Sequence, residues 1–206
     1  MPLQNRVDPY GRLVATAEYG AWMGNRGVLH DESRRVVAAW RTKRWITCVL
    51  EFRGRKREVF TPRRYSELFF LDEATSLSAG HRPCAECRRE RYNEFCAAWA
   101  AANGKLGERP RADDMDDVIH ADRVERGGGK RTYDAPLSSL PDGTVVEHDG
   151  RPHLLCGQRL LLWSFSGYGP AISVGASITM KVLTPPSLVR VVRAGFVPQI
   201  HPSAGA

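Results

Sequence analysis

The chain has 206 residues, 42% of them hydrophobic, and a formal charge of +7 carried mostly by arginine. Such a length and apolar content suit one domain, or two small ones, with a real core, and no apolar run is long enough to cross a bilayer. The opening "MPLQNRVDPYGRL" lacks the charged-then-apolar build of a signal peptide, so a cytoplasmic protein is expected, in which five cysteines point away from a disulfide framework.

Residues 1–30 alternate short apolar runs with turn residues and read as a strand pair followed by a polar loop. "RWITCVLEF" (44–52) is β-type, with Trp45, Ile46, Val49, Leu50 and Phe52 around Cys48. A basic turn, "RGRKRE", follows, and "VFTP" resumes extended chain, so 44–61 is predicted to form a hairpin with an Arg/Lys-loaded tip. "ELFF" is a short strand. Asp72 then offers an N-cap to "EATSLSA", Gly80 supplies the left-handed residue that ends that helix, and Pro83 prevents its resumption.

A second helix is predicted from about Glu86 to Asn103. Its apolar residues Tyr92, Phe95, Cys96 and Trp99 recur at i, i+3, i+4 and i+7, a single buried stripe. "NGKLGERPRAD" (103–113) is polar and carries Gly and Pro, the best candidate boundary. "DDMDDVIHADRVER" reads as a short helix with its acids first and arginine last, the order that suits the helix dipole. From Leu140 onward, turn signals alternate with short β runs, and "TPPSLVRVVRAG" closes as a last helix.

The expected fold class is α+β. A small zinc-knuckle-type α/β half (1–107) precedes a short helix and a small antiparallel sheet or partial barrel (108–206), the halves either separate or merged.

Chemistry concentrates in "AGHRPCAECRRERY" (79–92). Cys84 and Cys87, two residues between them, can share one zinc, and a helix N-terminus favours their thiolate form. A tetrahedral site needs two more ligands: Cys48 is the first choice and His30 the next, with His81 an alternative and His120 in reserve. Arg88, Arg89 and Arg91 at the helix start suit an anion there, as do Arg53, Arg55, Lys56 and Arg57 at the hairpin tip. Arginine is the better fork for phosphate, although its excess over lysine also follows from genomic base composition.

The stretch 66–92, "ELFFLDEATSLSAGHRPCAECRRERY" with its preceding serine, resembles the second half of the zinc module of Ada-type DNA repair proteins, a module also appended to some nucleases. Ala79, Gly80, Arg82, Pro83, Cys84 and Cys87 match that pattern. The resemblance implies that Cys84 and Cys87 ligate zinc and that the neighbouring arginines face DNA phosphate. The family's upstream pair of ligands is missing, since 51–64 holds neither Cys nor His. With it goes the methyl-accepting cysteine, unless Cys48 has taken that role.

The leading expectation is therefore a zinc-stabilised DNA-binding protein of the repair or processing type. One alternative is a nucleic-acid hydrolase, a nuclease or base-processing enzyme. Its catalytic groups would come from Arg26, His30 and Asp31, or from Asp116 and His120, which share a helix face at i, i+4. The acids Asp113, Asp114, Asp116 and Asp117 are more simply a helix start and a solvated face. The other alternative is a small-molecule enzyme with a pocket between the halves. Trp163, Phe165 and Tyr168 read as barrel core before they read as a base-stacking surface.

Overall fold

The computed structural model describes residues 1–54, 58–104 and 108–205, and its architecture is α+β. Two six-stranded sheets carry it. The first takes β1 (Gln4–Val7), β2 (Leu13–Ala15), β3 (Trp22–Asn25), β4 (Ile46–Cys48), β5 (Leu68–Phe70) and β6 (Arg82–Pro83), in the order β2-β1-β5-β3-β4-β6. β1 pairs with β5, and β4 with β6, in parallel; the other pairs are antiparallel. Pro83 is tolerated because β6 lies at the sheet edge, where no neighbour asks for its missing N–H.

The expected hairpin over 44–61 is not formed among the described residues. β4 is held instead by β3 on one side and β6 on the other. Arg53, Phe60 and Arg63 all have positive φ, near +54° to +61°, so the chain beyond β4 runs through turns rather than back along it. The tip residues Arg55, Lys56 and Arg57 lie outside the described residues.

Between β5 and β6 sits α1 (Glu73–Ser78). Asp72 caps it, its Oδ1 accepting from the Thr75 N–H at 2.8 Å, and Gly80 turns the chain at φ +87°. A Cβ at Gly80 would fall 2.4 Å from the Arg123 side chain, so both the turn and the packing exclude a larger residue. α2 (Arg89–Asn103) begins three residues later than expected, because 84–88 form the turn that carries two cysteines. It buries Tyr92, Phe95, Cys96 and Trp99, the anticipated stripe.

After α3 (Ala112–Arg123), the second sheet comprises β7 (Tyr133–Pro136), β8 (Val145–His148), β9 (Arg151–Cys156), β10 (Arg159–Ser164), β11 (Gly167–Ser173) and β12 (Thr179–Val182). It is antiparallel throughout, ordered β11-β10-β9-β8-β12-β7. Asp149–Gly150 and Gly157–Gln158, all at positive φ, make the tight turns on either side of β9. β7 precedes the first strand signal read from the sequence. α4 (Pro186–Arg193) packs Val189 onto this sheet.

The cores cross position 107. α2 contributes Phe95 and Trp99 to a cluster with Met115 and Ile119 of α3 and Leu188 and Val191 of α4. Leu71 and Ala74 pack with Val145, Leu154, Trp163 and Tyr168 of the second sheet. Trp163 and Tyr168 are accordingly core: the indole N–H donates to Thr75 Oγ1, and the phenol donates to Asp72 Oδ2. Among the described residues, no helix is long and apolar enough to cross a membrane.

Candidate metal centre

The register of two strands and one turn assembles the thiols. The parallel pair β4/β6 sets Thr47 beside Pro83, and the Cys84 N–H donates to Thr47 O at 2.9 Å. Cys48 and Cys84 are therefore the next residues along two neighbouring parallel strands, and in-register parallel neighbours project to the same face. The turn 84–88, closed by Arg88 N–H to Cys84 O, returns Cys87 to the same spot. The three sulfurs lie within 4.8 Å of one another, and none is in a disulfide. Tetrahedral zinc with bonds of about 2.3 Å spaces its sulfurs about 3.8 Å apart, so this donor set could hold one ion.

The electrostatics of the trio prepare it for a cation. Cys84 is pushed well down by hydrogen bonds from the Cys48 and Cys87 thiols and from the backbone N–H groups of Cys87 and Glu86. Cys48 is pushed far up by its contacts with Cys84 and Cys87 and by burial. Cys87 is also raised, the pull of Cys48 being outweighed by Cys84 and by burial. Of the three, Cys84 is thus the one whose surroundings favour the thiolate. A divalent ion held here would require all three sulfurs as thiolates, and a soft thiolate set suits zinc-like metals.

The sulfurs open onto a cavity of about 500 Å³, walled by Met23, Ile46, Phe52 and Phe69, with Asn25, Tyr65 and Glu86 among its polar groups. A second hollow of about 610 Å³, bounded by Lys43, Arg44, Asp113 and Asp117, shares Asn25, Ile46 and Tyr65 with it. Lys43 and Arg44 line the second hollow, and the chain segments that supply wall residues also hold exposed Arg41, Arg53, Arg63 and Arg64. Lys43 pairs with Asp117 and Arg44 with Asp113, both surface pairs of little worth; Arg41, Arg53 and Arg64 make no ion pair among the described residues.

Other expected site residues are placed elsewhere. His30 is not a fourth ligand: its Nδ1 lies 2.6 Å from Ser66 Oγ, its Nε2 3.2 Å from Thr61 O, and its ring stacks on Phe60. With both nitrogens engaged in a buried niche, it has no free lone pair for a metal. His81 is fully buried with its Nε2 accepting from Arg26 Nε, and His120 sits against Trp40 with Nδ1 3.0 Å from Arg123. Asp31 closes its own turn, accepting from the Ser33 and Arg35 N–H groups. Asp116 is gripped by Arg82. Arg26 is buried, donating to Gly11 O and lying over Trp45. Each of the residues drawn for a hydrolase is thus engaged by partners of its own, Asp116 by Arg82 and His120 by Arg123.

The arginines after the knuckle divide. Arg88 is buried against Glu73 at 2.9 Å and lies over Trp22, and Arg91 pairs with Glu73 at 2.7 Å and with Glu94. Both serve the interior: two guanidiniums offset the buried Glu73 carboxylate, which also accepts from the Gln199 N–H. Only Arg89 of the three is exposed. The sequence does not single out Tyr65 and Phe69 as cavity walls, nor Lys43 and Arg44 as lining the second hollow. The doublet "RR" before Tyr65 was the available signal. Comparison with known proteins finds no matching family model, no matching curated protein and no matching solved structure.

Proposed function

We propose that the chain is a zinc-stabilised DNA-binding protein of the repair or processing type. The ion sits between Cys48, Cys84 and Cys87, and the cationic loops that rim the cavity engage phosphate. The observation that carries this reading is the position of the thiol trio: it lines a cavity whose wall residues Phe52 and Tyr65 are followed and preceded in the chain by the exposed Arg53 and Arg64. Zinc would act there through charge and geometry. It neutralises two of three thiolates and locks β4, β6 and the turn 84–88 into one corner, which fixes where the neighbouring loops aim their guanidiniums.

The nucleic-acid interface differs from the one the Ada-type resemblance implies. Arg88 and Arg91 are spent on Glu73, so among the described members of the expected set phosphate contact falls to Arg53 and Arg89, together with Arg41 and Arg64. Fluorescence anisotropy with short single- and double-stranded DNA, titrated at several salt concentrations, tests it. Binding that weakens steeply with salt supports the reading; binding that is absent, or flat with salt, overturns it.

A further inference from the structure

Three thiolates leave a tetrahedral ion one ligand short. No fourth Cys, His, Asp or Glu joins the trio among the described residues. The positions outside that description, 55–57, 105–107 and 206, are Arg, Lys, Arg, Lys, Leu, Gly and Ala by sequence, so none adds a ligand of those types. Glu51, Glu67 and Glu86 line the adjoining cavity but stand outside the trio, and Glu67 Oε2 is occupied by the Phe60 N–H at 2.9 Å. The chain therefore supplies three donors and then a hollow, the arrangement of an open metal site rather than a closed one.

We infer that the cation held by Cys48, Cys84 and Cys87 keeps its fourth position open to this cavity, and that a compact thiol from solution enters there as the fourth ligand. The inference rests on the metal half of the reading above and is independent of its nucleic-acid half. A sulfur donor is favoured because an ion in a thiolate set is matched to soft ligands. The walls agree: Met23, Ile46, Phe52 and Phe69 offer apolar contact to the carbon part of such a ligand, and about 500 Å³ is ample for one. The exchange is a simple substitution. A bound water leaves, the entering sulfur donates a lone pair to the metal, and the thiol proton passes to solvent; nothing is oxidised or reduced.

Cobalt(II) loaded into the full chain in thiol-free buffer, then titrated with 2-mercaptoethanol, tests this without any assay of activity. The expected result is a saturable rise of about one third in sulfur-to-cobalt charge-transfer absorption, one bond added to three. Leu50→Trp supplies the second arm, since Leu50 is half-exposed, lines the cavity and is no ligand. That variant should keep its cobalt and lose the rise. Bound cobalt that ignores the thiol, or is stripped by it, overturns the inference while leaving metal binding intact. An unchanged rise in Leu50→Trp overturns the route through the cavity. Failure of the wild-type chain to take up cobalt overturns this inference and the metal reading together.

Discussion

Arg82 grips Asp116 with two parallel hydrogen bonds, Nε to Oδ1 at 2.8 Å and Nη2 to Oδ2 at 2.7 Å, with both side chains buried. Arg82 is two residues from Cys84, and Asp116 lies in the middle of α3. The pair thus ties the strand that leads into Cys84 of the thiol trio to a helix from the other half of the chain. Burial pushes the Asp116 carboxyl up, against the pull of Arg82. Asp116→Ala leaves a guanidinium buried without its counter-ion and should cost about 3–5 kcal/mol, measured by urea unfolding. A loss below about 1 kcal/mol contradicts the role given to this pair.

The arginines after the knuckle should separate by substitution. Arg88→Ala strips a partner from the buried Glu73 carboxylate and uncovers Trp22, so unfolding should become easier by about 1–3 kcal/mol. Arg89→Ala, at an exposed position, should stay within about 0.5 kcal/mol of the parent. DNA affinity should respond in the opposite order, falling with Arg89→Ala and holding with Arg88→Ala wherever that variant is folded.

Phosphate contact by the rim predicts a change in salt dependence. Combining Arg53→Ala, Arg64→Ala and Arg89→Ala should reduce the slope of log affinity against log salt by about 2.7 on double-stranded DNA, roughly 0.9 per contact removed. An unchanged slope would place the interface elsewhere on the molecule.

His81 gives the fold a dependence on pH with a definite sign. Burial first, then the nearby Arg26 and Arg123 charges, hold its pKa well below the ordinary value of 6.5. Below about pH 6.5 the unfolded chain therefore binds a proton that the folded chain refuses. Stability from this group is complete above that pH and declines as pH falls beneath it, by up to about 1.4 kcal/mol per unit. Using metal-free protein keeps any proton uptake by thiolates on metal loss out of the comparison. Urea unfolding between pH 7 and 5 should show a shallower decline for His81→Gln than for the parent, whatever the absolute stabilities; parallel declines would count against it.

Local signals in the sequence translated into structure where one short stretch settles the outcome. The Asp72 cap needs only the N–H three residues on, the α2 stripe needs only its own periodicity, and Gly157–Gln158 needs only positive φ. Signals failed where the partner is distant. β4 was read with its sequence neighbour because nothing in "RWITCVLEF" reveals that Trp22–Asn25 and Arg82–Pro83 flank it. Arg88 and Arg91 looked like phosphate hooks because charge type does not disclose a buried Glu73 fifteen or more residues earlier. His30 has the chemistry of a ligand, and only the fold shows Ser66 and Thr61 consuming it. Cys48, by contrast, was found from residue type alone, and β4/β6 register supplies the reason that it meets Cys84.

The metal content of the purified chain is the shortest route to a decision. Elemental analysis of the parent, Cys48→Ser and Cys84→Ser/Cys87→Ser, each prepared without added chelator, should return about one zinc per parent chain and a near-complete loss in both variants, together with a lower melting temperature. A parent chain free of metal after zinc is supplied in excess, or a Cys48→Ser protein that retains its zinc at full occupancy, contradicts the three-thiolate centre.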